Sequence, residues 1–335
     1  MKTTLPTNGA ETSAVLPHAF EPPETAAKTP RHPAGGRIQL RDCLVGANPI
    51  VWSNDDFADL AGDVPLDTIL REMREAGFAG SELGHAYPRT APELAAALGA
   101  HDLRLVSGWH STYLASNPLA EEAKKFGVHL KLLKTLGARV AIVAECTRCI
   151  HGDRHAPLSF SEKGKPHLTE AEWAKFIAGL KHLADLAARE EMKIVYHHHM
   201  GTVIQREADL DRLLASAPEI WLLLDAGHLA FAGIDPVAVT QRYAARIAHV
   251  HLKSVRPTIA ERVRRESWSF YRAVANGVFT IAGEGCVDYP AIFSILAAAN
   301  YRGWLVVEAE EDPVKVPALP KAKKAREFVQ TYAGI

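Results

Sequence analysis

Short apolar runs alternate with amphipathic stretches along the chain from about residue 41 onward. Eight of these runs are rich in Val, Ile and Leu and are continuous rather than alternating, a pattern typical of strands buried on both faces. The predicted strands are Val45–Val51, Ala79–Leu83, Arg104–Gly108, Val140–Ala144, Lys193–His197, Trp221–Asp225, Ala248–Leu252 and Leu305–Glu308. Strands of this kind belong to parallel sheets that other elements cover.

The stretches between the strands carry helix signals. Leu66, Ile69 and Met73 fall on one helical face, and Thr169 forms a capping-box pattern with Glu172. Two further helices are predicted, one after Asp235–Pro236 and one between Tyr289 and Asn300. Eight strands, each followed by a helix over about 290 residues, predict an α/β fold of the (β/α)8 TIM-barrel type.

A doubly wound sheet with an extra domain is the alternative arrangement of the same elements. That fold needs a glycine-rich turn after its first strand to hold a pyrophosphate, whereas the chain has Asn-Pro-Ile-Val-Trp at 48–52. The barrel is therefore favoured, as one catalytic domain over residues 38–335. Residues 1–37 contain six prolines and no helix or strand period, which predicts a flexible tail.

Composition and charge narrow the class of protein. The 335 residues include 38 Lys and Arg against 39 Asp and Glu, so the formal charge is −1, unlike that of a nucleic-acid-binding domain. No apolar run approaches the ~18 residues of a membrane span, and the first residues lack the apolar core of a secretory signal. We expect a cytoplasmic enzyme acting on a small molecule, with neither nucleic acid nor membrane as partner. Whether it is a homo-oligomer stays open.

Polar side chains end most of the predicted strands, and in a parallel barrel these ends form the active site. The residues are Glu82, His85, His110, Glu145, His197, His198, His199, Asp225, His228, His249, His251 and Glu308. A single such residue is usually a solvated loop residue or a helix cap. Asp225 and Glu308, however, end continuous apolar runs, where a carboxylate must be paired or metal-bound. Asp, His and Glu together suit Mn²⁺, Co²⁺, Mg²⁺ or Zn²⁺.

Cys146 and Cys149, followed by His151 and His155, have the spacing of half a zinc site. No second cysteine pair follows at zinc-finger distance, so two unpaired thiols are favoured over a structural zinc. The segment from Cys149 to Leu168 is predicted to be a long loop, and long barrel loops often carry substrate contacts.

Motifs from residue 45 to about 313, nearly the whole predicted domain, carry a family resemblance. They are Asn48–Asp56, Gly77–Gly84, Tyr196–Thr202, Asp225–His228, His249–Lys253, Gly277–Phe279, Gly283–Gly285 and Gly303–Glu310. The chain resembles the myo-inosose-2 dehydratases, in the xylose-isomerase-like TIM barrel superfamily. The runs YHHHMGT and WLVVEAE are the most specific of these motifs, whereas the CTRC segment and the proline-rich tail depart from the family pattern.

The resemblance implies a metal-dependent hydro-lyase that removes water from 2-keto-myo-inositol (scyllo-inosose) to give a trihydroxycyclohexane-1,2-dione, through a metal-stabilised enediolate. It implies metal ligands from successive strand ends, and Asp225, His251 and Glu308 match three of them. The first ligand is either His197 or Glu145. Glu145 is favoured because it keeps three carboxylates around a hard cation, for which Mn²⁺ or Co²⁺ is expected.

Dehydration of a hydroxy ketone needs a base for the proton beside the carbonyl and an acid for the leaving hydroxyl. Candidates for these roles are His197, His199, His228 and Glu308, without assignment of base and acid. Candidate substrate-binding residues are Trp52, Trp109, Lys253 and Arg256.

Three other functions are considered. A keto-sugar isomerase or epimerase needs the same enediolate but conserves mass. An endonuclease of the same superfamily needs basic loops, against which the net charge argues. A non-catalytic barrel of this superfamily is expected to lack the metal-binding residues, yet Asp225, His251 and Glu308 are all present.

Overall fold

The computed structural model describes residues 39–54, 57–60 and 64–335. The tail predicted for residues 1–37 lies outside the described residues. The strands are β1 (Leu44–Ala47), β2 (Gly80–Leu83), β3 (Arg104–Thr112), β4 (Val140–Glu145), β5 (Lys193–His197), β6 (Trp221–Asp225), β7 (Ile247–Val255), β8 (Phe279–Ile281) and β9 (Trp304–Val307). Each of the eight predicted strands is present in some form.

Eight strands close into a parallel barrel. Each strand from β1 to β6 pairs with the next strand in the chain, up to β7. β9 lies between β7 and β1 and pairs with both, which closes the barrel. The barrel prediction is thus confirmed. The short strand β8 pairs antiparallel with the end of β7, with Lys253 opposite Ile281. Three residues are too few to show a periodic pattern, which is why the sequence did not predict β8.

The first strand is shorter than predicted. β1 ends at Ala47, and Pro49–Val51 forms a 3₁₀ turn whose start is capped by Asn48, with its Oδ1 accepting the Ile50 N–H at 2.9 Å. Pro49 has no N–H to donate to a strand ladder, so the apolar run continues as a turn. This turn places Asn48 at the end of the barrel where the strands finish.

Helices flank the barrel. They are α1 (Leu66–Glu75), α2 (Ala91–Gly99), α3 (Leu119–Thr135), α4 (Glu170–Arg189), α5 (Glu207–Ser216), α6 (Ala226–Ala232), α7 (Pro236–Tyr243), α8 (Pro257–Glu266), α9 (Phe270–Ala275), α10 (Tyr289–Ala298) and α11 (Ala318–Ala333). Of these, α8 and α9 pack in a separate apolar cluster in which Phe270 contacts His199 and His228. The capping box predicted at Thr169 is present, with both reciprocal bonds to Glu172. None of these helices is long and apolar enough to cross a membrane.

The inside of the barrel changes character along its axis. Val140, Ile142, Val195 and Leu223 form an apolar cluster in the half where the strands begin. Buried carboxylates and imidazoles take over toward the strand ends. A buried charge is costly unless it is paired, so this polar half must be internally matched or hold a cation.

Candidate metal centre and active-site cavity

A cavity of about 340 Å³ opens at the carboxyl ends of the strands. Its polar lining consists of Asn48, Glu82, His85, Arg89, Trp109, Ser111, His151, His197, His199, His251, Glu308 and Glu310. These residues come from β2, β3, β5 and β7 or from the segments that follow strands. The volume suits a small polar molecule, and the walls are dominated by imidazoles and carboxylates.

Strand register brings Asp225 and His251 together. The two residues are direct partners in the β6–β7 pairing. Asp225 also caps helix α6, because its Oδ1 accepts the His228 N–H at 2.8 Å. That bond fixes the carboxylate and turns Oδ2 toward β5 and β7, where it lies 3.4 Å from His197 Nε2 and 3.6 Å from His251 Nδ1.

Four donor atoms converge at this point. One atom from each of His197, Asp225, His228 and Glu308 lies within 4.8 Å of the others. His251 Nδ1 faces the same carboxylates and lies 2.6 Å from Glu308 Oε2. Asp225 Oδ2 and His251 Nδ1 are buried and have no hydrogen-bond partner in the described part of the chain. Two such atoms facing one point are the arrangement expected of cation ligands.

Glu82 orients His251 from behind. Its Oε1 lies 3.2 Å from His251 Nε2 and also takes contacts from His249 Nε2 at 2.7 Å and Ser107 Oγ at 2.7 Å, while Asn48 Nδ2 donates to Oε2 at 2.8 Å. With a proton held on Nε2 by the carboxylate, His251 presents the lone pair of Nδ1 to the centre. Burial raises the pKa of Glu82, but the imidazoles of His251 and His249 outweigh it and hold that pKa well below the usual range.

The centre has an excess of negative charge. Although burial opposes ionisation, neighbouring cations keep the pKa of Asp225 well below its usual range and that of Glu308 at about 2. Asp225 and Glu308 face the Lys253 ammonium, and the ionised Glu82 lies behind His251. Burial lowers the pKa of His251, but Glu308 and Glu82 raise it well above its usual range. The negative charge of these carboxylates also favours binding of a divalent cation, which would replace the proton on His251 Nδ1.

Lys253 is completely buried beside the centre. Its Nζ contacts Glu308 and Glu310 and lies 3.5 Å from Asp225 Oδ2 and 3.0 Å from His228 Nε2. Burial disfavours the charge, but Asp225, Glu308 and Glu310 raise the pKa of Lys253 well above its ordinary value. The lysine therefore carries its proton, and with it a positive charge, at neutral pH.

The chain is similar to known proteins over most of its length. Residues 57–332 match the family model of the xylose isomerase-like TIM barrel. The chain is 43% identical to the inosose dehydratase of Geobacillus thermodenitrificans (strain NG80-2) over 293 residues, which cover 87% of this chain and 97% of that one. It is 41% identical, with the same coverage, to the inosose dehydratase of Clostridium botulinum (strain Eklund 17B / Type B).

The chain belongs to the inosose dehydratase family. It is accordingly an enzyme of the hydro-lyase class. Solved structures share the fold at low identity. D-allulose 3-epimerase from Methylomonas sp., in complex with D-allulose, aligns with a TM-score of 0.61 at 17% identity, over 89% of this chain and 100% of that chain. The IOLI protein, solved with a binding zinc atom, aligns with a TM-score of 0.61 at 14% identity, over 87% and 98%.

Most of the predicted site residues of this inosose dehydratase family member lie together. The structure gathers His197, His199, His228, Asp225, His251, Lys253 and Glu308 around one centre and places Trp109 in the cavity wall, with its ring centroid 5.3 Å from that of His197.

Glu145, the favoured first metal ligand from sequence, lies elsewhere. Its carboxylate accepts hydrogen bonds from Thr112 Oγ1 at 3.0 Å, Leu114 N at 2.9 Å, Ala115 N at 3.3 Å and Thr147 N at 3.3 Å. Burial raises its pKa, and these donors oppose that rise only in part. The carboxylate therefore holds the chain that follows β3 and is not among the groups of convergent donors in the described residues.

Trp52 and Arg256, predicted to bind substrate, also lie outside the cavity lining. Trp52 is 2% exposed, and its Nε1 donates to Glu72 Oε2 at 2.8 Å. Arg256 is held by the carbonyls of Gly277 at 2.7 Å and Phe279 at 2.6 Å, with Glu311 as its ion-pair partner. Both polar groups are therefore used within the protein, Trp52 against helix α1 and Arg256 against the segment around β8.

Glu82 and Glu310 are site residues that the sequence prediction did not assign a role. Glu82 is one of the polar strand ends, so its position gave a signal, but nothing local shows that it faces His249 and His251 across the barrel. Glu310 lies two residues beyond Glu308, the alternation expected if the extended backbone continues past β9 with both side chains inward.

Proposed function

We propose that this enzyme removes water from 2-keto-myo-inositol at a divalent metal held by His197 Nε2, Asp225 Oδ2, His251 Nδ1 and Glu308. The observation that carries the proposal is the convergence of these buried groups on one point, where Asp225 Oδ2 and His251 Nδ1 make no hydrogen bond and lie 3.6 Å apart beside Glu308. The family membership supplies the substrate class, since the curated relatives are inosose dehydratases.

His197 fits the fourth position better than His228. Both ring nitrogens of His228 contact other groups, Nδ1 the Met200 N–H at 3.3 Å and Nε2 the Lys253 ammonium at 3.0 Å. His197 Nε2 points at Asp225 instead, and its Nδ1 has no hydrogen-bond partner among the described residues. Two imidazoles and two carboxylates suit Mn²⁺, Co²⁺ or Zn²⁺ better than Mg²⁺. Mn²⁺ or Co²⁺ remains our expectation, and the zinc in the IOLI structure keeps Zn²⁺ in the test.

When bound, the cation supplies Lewis-acid polarisation of the substrate ketone and its neighbouring hydroxyl. His199 is the proposed base for the proton beside the ketone. Its Nδ1 lies 2.7 Å from the Met200 carbonyl, which holds a proton on Nδ1 and leaves Nε2 as the acceptor. Burial and then the neighbouring His151 and His197 keep the pKa of His199 well below its usual range, so the ring is neutral at pH 7.

Lys253 and Glu310 form the proposed proton-donating pair for the leaving hydroxyl. The pair is in direct contact, Glu310 lines the cavity, and Lys253 is protonated. A nitrogen of His199 and an oxygen of Glu310 lie within 4.8 Å of each other, so the proposed base and acid can reach adjacent carbons of one bound substrate.

The test combines metal content with product mass. The chelated protein is reloaded with Mn²⁺, Co²⁺ or Zn²⁺ and incubated with 2-keto-myo-inositol, and we expect metal-dependent loss of the mass of one water. Asp225→Asn should lower the rate at least about 100-fold. A product of unchanged mass would identify an isomerase or epimerase and refute the dehydratase.

The first ligand has its own test. His197→Ala should weaken metal binding about 10- to 100-fold, whereas Glu145→Gln should keep the metal content of the folded protein. Loss of metal from Glu145→Gln with retention by His197→Ala would reverse the assignment.

A further inference from the structure

The two cysteines of the CTRC segment lie in direct contact beside the active-site cavity. Cys146 follows β4 and is 2% exposed, and Cys149 is half-buried. Each thiol is the largest influence on the pKa of the other, raising that of Cys146 and lowering that of Cys149, so the two sulfurs are neighbours. The remaining cysteines, Cys43 and Cys286, are apart from this pair, one buried and one exposed.

The backbone between the two cysteines is a tight turn. The Cys149 N–H donates to the Cys146 carbonyl at 3.1 Å, and Arg148, in the middle, has a left-handed φ of 59°. A four-residue turn keeps its end Cα atoms within about 7 Å. A disulfide spans Cα separations of about 4.4–6.8 Å, so this turn can close the bond without rearranging the fold.

We propose that Cys146 and Cys149 form a reversible disulfide when a hydroperoxide oxidises them, and that this modification lowers the activity of the enzyme. The Cys149 thiolate attacks the peroxide, its O–O bond breaks, and the products are a sulfenic acid and an alcohol or water. The Cys146 sulfur then displaces the sulfenic oxygen, which leaves as water, and the S–S bond forms. In total the two thiols lose two electrons and two protons, and the peroxide takes up these electrons and protons as it is reduced to an alcohol (or water) and water.

The surroundings of Cys149 favour it as the attacking thiol. It is the more exposed of the pair, and the Cys146 thiol and His151 both contact its sulfur. The Cys146 contact, with a smaller contribution from His151, lowers the pKa of Cys149 to about 5 against the opposing effect of burial. The neighbouring Cys149, and after it burial, raise the pKa of Cys146, which suits the resolving role.

The turn is tied to the catalytic side of the cavity, and this part of the inference rests on the proposed function. Directly after Cys149, the Ile150 N–H donates to the Gly201 carbonyl at 2.8 Å. The His151 ring lies 5.0 Å from that of His199, the proposed base, and His151 lines the cavity. Disulfide formation draws the Cys149 sulfur toward Cys146 and away from His151, and it tightens the turn that positions His151.

The experiment uses the full-length, metal-loaded enzyme and hydrogen peroxide. We expect loss of two titratable thiols, loss of the mass of two hydrogen atoms, and a tryptic product in which peptides cut after Arg148 stay linked through Cys146 and Cys149. The kcat/KM for 2-keto-myo-inositol should fall about tenfold or more and return with dithiothreitol. Cys149→Ser should keep its basal activity and resist peroxide. Cys286→Ser, the matched control, should respond like the wild type.

Each other outcome counts against a stated part of the proposal. Peroxide treatment that leaves Cys146 and Cys149 unlinked overturns the modification site. Equal inactivation of Cys149→Ser shows that oxidation acts elsewhere, and a linked pair with unchanged kcat/KM refutes the coupling to the cavity. An enzyme without dehydratase activity before treatment fails the proposed function, while the thiol count and the linked peptides still decide the disulfide.

Discussion

Substitution of Glu82 by Gln tests whether the carboxylate behind His251 tunes the metal centre. Four donors converge on Glu82, from Asn48, Ser107, His249 and His251. An amide keeps the shape but replaces one acceptor oxygen by a donor, so at least one buried donor then faces another, at a cost of about 1–3 kcal/mol. The neutral amide also makes Nδ1 of His251 a weaker ligand, because the anionic partner of Nε2 is gone.

The expected result is metal affinity weakened about 10- to 100-fold, equivalent to about 1.4–2.7 kcal/mol. The assay is competition for Mn²⁺ against a chromogenic chelator, with circular dichroism to confirm the fold. Glu122→Gln is the matched control, since Glu122 is also 1% exposed and accepts the Tyr113 N–H at 2.9 Å, but in α3. A folded Glu82→Gln variant with the wild-type Mn²⁺ dissociation constant would refute the reasoning.

Three further predictions concern packing, capping and pH. Gly227→Ala places a methyl group 2.6 Å from Lys253 Cγ and 2.9 Å from the Lys253 carbonyl oxygen. Denaturant titration should therefore show that the free energy of unfolding falls by about 1–3 kcal/mol. Gly99→Ala is the control, because a methyl group there has no neighbour within 4 Å. Thr169→Ala removes the cap of α4 and should cost about 1 kcal/mol, measured by the same titration. Burial raises the pKa of Glu284, but lysines led by Lys321 lower it to about 2, below its unfolded value. Its contribution is therefore present at neutral pH and is lost as pH falls from about 4.5 toward 2, so Glu284→Gln should lower Tm at pH 7 more than at pH 2.

The fold could be predicted because its signals are local. Continuous apolar runs separated by helix caps indicate a parallel barrel independently of the conformation of the loops. The capping box at Thr169 is present as expected. The first strand was predicted too long because the apolar run Ile50–Val51 has the composition of a strand, and Pro49 converts it into a turn. The strand β8 was missed because its three residues pair only with the end of β7.

The centre was predicted in part because strand ends in a barrel share one rim. Asp225, His251 and Glu308 end or lie within buried strands, and neighbouring register makes Asp225 and His251 adjacent. The role of Lys253 was harder to assign. A lysine after an apolar run is ordinarily exposed, and only the three-dimensional structure shows that Lys253 is buried among Asp225, Glu308 and Glu310.

The sequence alone could not decide whether Glu145 or His197 is the first metal ligand. Both follow buried strands, and charge counting favours the carboxylate for a hard cation. The Glu145 carboxylate is already occupied, because it accepts hydrogen bonds from four donors at the end of β3, directly after β3 and directly after β4. Three of these are backbone N–H groups, whose direction no residue type encodes. A metal would have to displace those bonds to recruit Glu145, whereas at His197 it meets a nitrogen already aimed at Asp225.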